Sequence, residues 1–311
     1  VGVVDIAPDG TIDASSVATA DLADQGIVAD EAIVTRATEI KNTINEEYDV
    51  VFASTEVALD GERENVRTKE TNLGDLITDA MLWQAQKDNE NVVAALNNGG
   101  GIRASIAAGD ITKMAVNTVL PFGNTLYVVE VTGAELLEAL EASTYCTPES
   151  IGGFPQVSGI KFIINTGAAY DAGENYAGPN SINRVTILTV GGQAFDADAT
   201  YTIVTNDFLA AGGDTYYAFS AAESGYDTGI SLDQVVMDYI TEELDGTVTA
   251  AAYGQTANRI HTISYNDVTA GDWFTPDVIY VTLTGLMNGT GDGFSPNNNI
   301  NRAQLVTVLY R

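Results

Sequence analysis

Apolar residues recur at helical spacing in two long stretches of the chain. Within residues 28–47, Ile33, Ala37, Ile40 and Ile44 fall at helical spacing. The second stretch begins at Asn72, which we expect to be the N-cap because Asp75 follows three residues later. Its apolar face consists of Leu73, Leu76, Ile77, Ala80 and Met81. Both stretches are predicted to be amphipathic helices.

Two more helices are predicted from their capping sequences. Thr-Gly-Ala-Glu at 132–135 is a capping box and predicts a helix over 136–143. Ser-Leu-Asp-Gln at 231–234 has the same form and predicts a helix that ends near Leu244.

Strands are predicted where apolar residues alternate or form short runs. These stretches are 50–57, 92–96, 126–131, 159–165, 184–190 and 200–205. The Gly191-Gly192 pair indicates a tight hairpin between the last two. Because strands and helices are interleaved but hairpins are frequent, we expect an α+β fold with a mixed sheet and packed helices rather than a doubly wound parallel sheet.

Composition excludes some classes of partner. The chain has 311 residues with 43 acidic and 13 basic side chains, a net charge of −30. Such a surface repels nucleic acid and anionic membranes, so we expect no nucleic-acid partner. No apolar run reaches the roughly 18 residues of a membrane span, so no membrane insertion is expected either. The single cysteine, Cys146, excludes an internal disulfide.

A triple glycine follows a predicted strand in Asn-Asn-Gly-Gly-Gly-Ile-Arg at 97–103. Glycines there let a ligand approach the backbone closely around Gly100, and Asn98 and Arg103 flank them as polar contacts. The same glycines are equally compatible with a plain turn between a strand and a helix. Both interpretations stay open at this point.

Arginines are scarce in this chain, so their clustering is informative. Arg63 and Arg67 lie just before the Asn72 helix, and Arg103 lies in the glycine loop. Arginine suits bidentate contact with phosphate or carboxylate, which favours an anion site. The alternative is that these arginines pair with neighbouring carboxylates.

Two phenylalanines lie in glycine-rich loops instead of on periodic elements. Phe122 is in Leu-Pro-Phe-Gly-Asn at 120–124, and Phe208 precedes Ala-Ala-Gly-Gly-Asp. Two such rings could clamp a planar base. Asp214 at the end of the second loop could accept from a ribose hydroxyl. The alternatives are that the rings plug loops onto the core and that Gly-Gly-Asp forms a turn.

These segments, together with Phe-Pro-Gln-Val-Ser-Gly at 154–159, occur in an order that resembles the C-terminal, substrate-binding domain of the 5′-nucleotidase family. The resemblance covers about residues 50–262. It implies that Arg63, Arg67 and Arg103 contact phosphate and that Asn98 and Arg103 hold phosphate or ribose. It further implies that Phe122 and Phe208 sandwich the base and that Asp214 holds the ribose. The helix near residues 28–46 would correspond to the family's interdomain helix.

The hydrolytic half of that family has no counterpart in the sequence. The resemblance implies two divalent metals held by Asp, Asn and several His in an N-terminal metallophosphatase domain, whereas this chain has one histidine, His261. We therefore expect no catalytic residue, no metal ligand and no cofactor within the chain, and no hydrolysis by it alone. Since it opens at Val1 without a methionine, we expect a fragment of a longer protein.

Residues 264–311 contain Tyr-Asn-Asp-Val at 265–268, Trp273, Gly-Leu-Met-Asn-Gly at 285–289 and Asn-Arg-Ala-Gln at 301–304. In their order and spacing these segments resemble a surface-layer homology (SLH) module, a pair of short helices. The resemblance implies that Asp267, Trp273 and Arg302 bind cell-wall polysaccharide. A single module could also be a broken repeat that binds nothing.

The predicted organisation has three parts: a linker remnant over 1–27, the nucleotidase-like domain over 28–262 and the SLH-like module over 263–311. We expect the nucleotide-recognition part of an extracellular, wall-associated nucleotide phosphohydrolase, with a nucleotide or nucleoside and wall polysaccharide as partners. Two alternatives remain. One is a nucleotide-binding protein without catalysis, and the other is a structural surface-layer protein.

Overall fold

The computed structural model describes residues 2–16, 28–174, 178–222 and 224–310, and the chain divides into two compact units, Val1–Val50 and Val51–Arg311. In the first unit, strands β1 (Gly2–Ile6) and β2 (Ile12–Ser16) form an antiparallel hairpin, and helix α1 spans Glu31–Tyr48. The predicted first helix is thus confirmed, with Asp30 as its N-cap and its isoleucines exposed. Of the predicted linker, residues 17–27 lie outside the described residues.

The second unit is built from short strands and helices. Its strands are β3 (Val51–Thr55), β4 (Val92–Asn98), β5 (Gly109–Thr112), β6 (Thr125–Thr132), β7 (Pro155–Ser158), β8 (Ile160–Asn165), β9 (Asp171–Ala172), β10 (Pro179–Ser181), β11 (Val185–Val190), β12 (Gln193–Ala194), β13 (Thr200–Asn206), β14 (Ser224–Ser231), β15 (Thr247–Val248) and β16 (Ile260–Ile263). Its helices are α2 (Arg63–Val66), α3 (Asn72–Asp88), α4 (Lys113–Val119), α5 (Gly133–Ser143), α6 (Asp207–Ala210), α7 (Tyr217–Ser220), α8 (Leu232–Asp238), α9 (Ala250–Tyr253), α10 (Thr275–Leu283) and α11 (Arg302–Tyr310).

A five-stranded mixed sheet lies at the centre of this unit, in the order β14-β6-β13-β4-β7. β4 and β13 are parallel, and the other pairs are antiparallel. The side chains of β6 alternate between two apolar cores: Leu126 and Val128 join the core of α3, α4 and α8, whereas Val129 and Val131 join the core of α5 and the second sheet. Burial on both faces explains why this strand consists mainly of apolar residues.

A second, four-stranded sheet has the order β12-β11-β8-β16, with β8 parallel to β16. One face of β8 packs into the main domain through Phe162 and Ile164, and Ile163 on the other face packs against the C-terminal module. That small core also contains Ile263, Tyr265, Val268, Val278 and Ile279. The α+β class and the C-terminal helix pair are as predicted.

Three local predictions need correction. The N-cap of α3 is Thr71, whose Oγ1 accepts from the Gly74 amide, whereas Asn72 turns its side chain to the Asp60 amide and the Ala58 and Tyr253 carbonyls. The Gly191-Gly192 turn joins β11 to the short β12, because β13 belongs to the central sheet. The helix after Ser231 ends near Leu244 as predicted, but the predicted capping box does not form, because the Ser231 side chain makes no cap hydrogen bond, and the last turn, Tyr239–Glu243, is π-helical.

A buried ionic cluster ties α3 to the chain before β16. Arg259 donates to Asp79 Oδ1 at 2.6 Å, and its Nη1 lies 3.4 Å from Asp75 Oδ1. Asp75 Oδ2 accepts from the Ala257 amide, and Glu70 accepts from the Arg259 and Ile260 amides. Burial raises the pKa of Asp75 from 3.8 to about 7, since desolvation and the nearby Glu70 outweigh the attraction of Arg259.

We predict that stability falls as pH rises from about 4 to about 7, because over this range the folded Asp75 keeps a proton that the unfolded chain has released. Asp75→Asn should flatten this slope in urea unfolding curves measured across the range. The exposed Glu90→Gln should leave the slope as in the wild type. Parallel curves for Asp75→Asn and the wild type would contradict the assignment.

The side-chain amide of Asn165 on β8 adds polar contacts to the apolar core that joins the C-terminal module to the main domain. Asn165 is 5% exposed; its Nδ2 donates to the Tyr265 and Val268 carbonyls at 2.9 and 2.7 Å, and its Oδ1 accepts from the Tyr265 amide at 2.9 Å. Asn165→Ala should lower the free energy of unfolding by about 2–4 kcal/mol, since it leaves three buried backbone groups unpaired. It should also speed proteolysis after Ile263. The exposed Asn180→Ala is the control, and a wild-type cleavage rate in Asn165→Ala would refute this role.

Candidate functional site

The sheet order brings the predicted motifs to one edge. β4 and β13 are parallel, so their carboxyl ends, Asn98 and Asn206, lie together. β6 and β7 run the other way, with Leu126 opposite Asn206 and Pro155 opposite Asn98. The loops that precede β6 and β7 therefore meet the loops that follow β4 and β13. Segments far apart in the sequence form one site.

A cavity of about 500 Å³ opens at this edge. It is lined by Arg67, Asn98, Gly100, Gly101, Arg103, Phe122, Asn124, Gly152, Phe208 and Asp214. Seven of the eight residues predicted to bind substrate are in this set. Arg63 is not: its side chain is largely exposed, with Nε 4.0 Å from Glu64.

A chain of amide hydrogen bonds builds the floor of the site. Asn206 Nδ2 donates to Asn97 Oδ1 at 2.8 Å and to Asn98 Oδ1 at 3.1 Å, while its Oδ1 caps α6 by accepting from the Leu209 amide. Asn98 Nδ2 in turn donates to Asp214 Oδ2 at 2.7 Å. Asn98 and Asp214 are thus held against each other at the cavity wall.

The triple glycine forms a 3₁₀ turn, Gly99–Gly101. The amides of Gly99 and Gly100 donate to the Phe154 and Gly152 carbonyls, both at 2.7 Å. A Cβ on Gly99 would lie 1.9 Å from the Val66 carbonyl oxygen, and one on Gly100 would lie 2.9 Å from the Gly152 carbonyl oxygen. These glycines therefore permit close approach of neighbouring backbone, and two of their amides are used within the protein.

Positive charge is concentrated on one side of the cavity. Burial lowers the pKa of Arg67, and the nearby cations Arg63 and Arg103 lower it further, while Asp214 and Glu64 act in the opposite direction. Among the described atoms, Nε of Arg67 is buried without a hydrogen-bond partner. Arg103 donates to the Gly100 carbonyl at 3.2 Å. An anion in the cavity would relieve the repulsion between these guanidinium groups.

Two exposed aromatic rings border the same cavity. Phe122 is 60% exposed and Phe208 is 46% exposed, unlike the fully buried Phe154 and Phe162. Gly213 lies beneath Phe208, where a Cβ would come within 2.5 Å of the ring. The guanidinium of Arg103 lies 5.6 Å from the Phe122 ring centre. Neither ring is buried in the core, but Phe208 lies on the one-turn helix α6 and not on a loop as predicted, because Asn206 caps that turn.

Three lining residues were not selected from the sequence. Asn124 donates to Asp207 Oδ1 at 2.7 Å, and it lies in the same loop as Phe122. Because Asn124 directly follows Gly123 in the same loop as Phe122, the sequence alone could have indicated it as a site residue. Gly101 belongs to the predicted glycine loop. Gly152 carries no signal of its own, because only the pairing of β4 with β7 places it there.

In the C-terminal module the three predicted polymer contacts have different surroundings. Both carboxylate oxygens of Asp267 accept backbone amides, those of Phe294 and Ser295, at 2.7 Å. Trp273 is 84% exposed and stands edge-on to Phe274. Arg302 is exposed at the start of α11, a helix that buries no residue.

The described ranges contain neither a metal-binding cluster nor a membrane-spanning helix. Within residues 2–16, 28–174, 178–222 and 224–310, no three His, Cys, Asp or Glu side chains are grouped so that they could hold a metal ion. In the same part of the chain, no helix is both long and apolar enough to cross a membrane.

Comparison with known proteins agrees with this geometry. The family model described as 5′-nucleotidase, C-terminal domain, matches residues 50–221, and that of the S-layer homology domain matches residues 264–306. The trifunctional nucleotide phosphoesterase protein YfkN of Bacillus subtilis is 41% identical over 208 residues, which are 66% of this chain and 13% of that protein. The cell wall protein Lmo0130 of Listeria monocytogenes is 37% identical over 160 residues, 50% of this chain and 19% of that protein.

A solved structure shows the same fold. The 5′-nucleotidase precursor from Thermus thermophilus superposes with a TM-score of 0.61 at 38% identity, covering 75% of this chain and 42% of that one. This chain therefore belongs to the 5′-nucleotidase family through its C-terminal domain, which an S-layer homology domain follows. It spans less than half the length of each of these relatives.

Proposed function

We propose that the cavity binds a nucleotide and that this domain is the substrate-recognition part of an extracellular nucleotide phosphohydrolase. The observation that carries the proposal is the joint placement of two exposed rings, two arginines and an Asn–Asp pair around one cavity. The Bacillus relative is named as a nucleotide phosphoesterase, which supports the same substrate class.

In this proposal Phe122 and Phe208 hold the base between them. Both rings are exposed at the cavity, Phe122 on the loop before β6 and Phe208 on the one-turn helix α6, so stacking a base would remove apolar surface from water. A base stacked on an aromatic side chain gains roughly 1–3 kcal/mol. Stacking tolerates any base, so the rings set the class of ligand and leave the choice of base to polar contacts.

The phosphate and ribose take the polar side of the cavity. Arg67 and Arg103, which both line the cavity, receive the phosphate, and Arg63 adds charge from outside the cavity. Asn98 Nδ2 and Asp214 Oδ2 lie 2.7 Å apart, beside Gly100 at the cavity wall. In this proposal the Asp214 carboxylate accepts hydrogen bonds from the ribose hydroxyls, and the Asn98 amide donates to them.

Hydrolysis needs groups that the described residues do not supply. A two-metal centre requires several nitrogen and oxygen ligands, and no suitable group of three is present in the described ranges. We therefore place the two divalent metals and the attacking water in a metallophosphatase domain of a longer enzyme. In this scheme the present chain binds substrate and is inactive alone.

We predict that the chain binds AMP and adenosine, and that Phe122→Ala or Phe208→Ala weakens both about 5- to 150-fold, the equivalent of roughly 1–3 kcal/mol of stacking. Arg67→Ala should weaken AMP but not adenosine. Isothermal titration calorimetry measures these affinities for each variant. Trp273→Ala, an exposed aromatic outside the cavity, is the matched control. Unchanged affinity in both phenylalanine variants would rule out the base clamp.

A second proposed function is attachment to the cell wall through residues 264–306, which match the S-layer homology model. The Trp273 ring, which is 84% exposed, and the exposed Arg302 favour direct contact with the polymer. The carboxylate of Asp267 instead accepts from the Phe294 amide and holds that loop in place. The proposed location is therefore the outer surface, associated with the wall or surface layer. The Listeria relative is named as a cell wall protein.

Trp273→Ala and Arg302→Ala should each weaken the affinity of the chain for purified wall polysaccharide about tenfold, a loss of roughly 1.4 kcal/mol, as measured by co-sedimentation over a range of polysaccharide concentrations. Phe122→Ala should sediment like the wild type, since it lies in the other site. Sedimentation that survives the Trp273→Ala, Arg302→Ala double variant would exclude these residues as the polymer contacts.

A further inference from the structure

Gln156 is a fully buried polar residue that does not line the cavity. It is 0% exposed and lies on β7, opposite Asn97 of β4. Its carboxamide makes three hydrogen bonds, all of them to the single segment 66–71. Oε1 accepts from the Thr71 amide at 3.1 Å, and Nε2 donates to the Val66 and Lys69 carbonyls at 3.1 and 2.8 Å.

The segment that Gln156 holds carries Arg67. It connects α2 to α3, so its backbone groups lack the partners that a longer helix would provide. The Arg67 carbonyl accepts from the Ile151 amide at 3.2 Å, and the adjacent Val66 carbonyl lies against Gly99. The position of the Arg67 backbone is thus set by contacts on both sides, of which Gln156 supplies three.

The surroundings are shaped for this carboxamide. A Cβ on Gly74 would lie 2.1 Å from Gln156 Oε1, so the first turn of α3 leaves room for it. Only an amide can accept one hydrogen bond and donate two here. A glutamate would set a carboxylate against two carbonyl oxygens, and a methionine would leave three buried backbone groups unpaired.

We propose that Gln156 is a positioning residue that fixes Arg67 at the cavity, so that the Phe-Pro-Gln-Val-Ser-Gly segment serves phosphate recognition without touching the ligand. This inference rests on the proposed phosphate contact of Arg67. The same pairing of β4 with β7 that places Asn97 and Asn98 also places Gln156, so the arginine and the asparagines are set by one register.

The test compares AMP with adenosine for the wild type, Gln156→Met, Gln156→Glu and Gly74→Ala. We expect each variant to weaken the binding of AMP about 10- to 100-fold, as for loss of a hydrogen bond to a charged group. The binding of adenosine should weaken less than about twofold. Gly74→Ala displaces the carboxamide without altering Gln156 and adds a better helix former, so it keeps the test open if the other variants fold poorly.

Two comparisons separate positioning from a general structural role. Gln156→Met combined with Arg67→Ala should bind AMP no more weakly than Arg67→Ala alone. Ser158→Ala, on the same strand but bonded to Asp79, should leave the ratio of AMP to adenosine affinity unchanged. Equal losses for AMP and adenosine, or additive losses in the double variant, would overturn the inference.

A third readout does not depend on nucleotides. The Nε–H signal of Arg67 in a ¹⁵N correlation spectrum, identified by its loss in Arg67→Lys, should shift or broaden in Gln156→Met. An unmoved signal would overturn the role of Gln156 by itself. If the signal moves but Arg67→Ala leaves the ratio of AMP to adenosine affinity unchanged, the positioning stands and the proposed phosphate contact fails.

Discussion

The parallel pairing of β4 with β13 is the constraint on which the site depends. It places the carboxyl ends of two strands side by side, the arrangement that commonly forms ligand sites in sheets with parallel strands. A slip of one residue would exchange the two faces of a strand that is buried on both sides. At the carboxyl ends of β4 and β13 the side chains are polar, so apolar packing does not hold the strands together there. Hydrogen bonds from Asn206 to Asn97 and Asn98 fix the strand pair at this end.

The cavity is lined by two arginines although the whole chain is strongly acidic. The net charge of −30 disfavours the approach of an anion at long range, yet Arg67 and Arg103 face one cavity. Partial burial of Arg67 makes its interaction with a bound anion stronger than it would be at an open surface. Recognition in this domain therefore depends on short-range geometry, which is why the backbone that carries each arginine is so closely held.

The C-terminal module packs directly against the main domain and shares a small apolar core with it. Ile163 and Leu188 of the four-stranded sheet contribute to its small core, and Asn165 supplies polar contacts at the same junction. Force on an attached module would therefore be transmitted to β8, whose opposite face packs in the core that also contains Phe154 and Tyr216. Neither residue lines the cavity, but the Phe154 carbonyl accepts from the Gly99 amide, so this core connects the module to the glycine turn of the site.

Local sequence patterns determined much of the secondary structure. Helical spacing and the capping box at Thr132 located α1, α3 and α5, because these signals act over one or two turns. The polar, glycine-containing edge strand β14 and the four-residue β7 gave no such pattern and were missed. The N-cap of α3 was misplaced by one residue, since Asn72 is used instead to tie distant backbone segments together.

The composition of the site was likewise visible in the sequence, as glycine loops with arginine, phenylalanine and aspartate. Tertiary structure alone decided which of these residues meet. It excluded Arg63 from the cavity, added Asn124 and Gly152, and placed Gln156 behind Arg67. The physical reason is that helices and caps depend on neighbours in the sequence. Strand order and register depend instead on packing and hydrogen bonds between distant segments, some of them more than 100 residues apart.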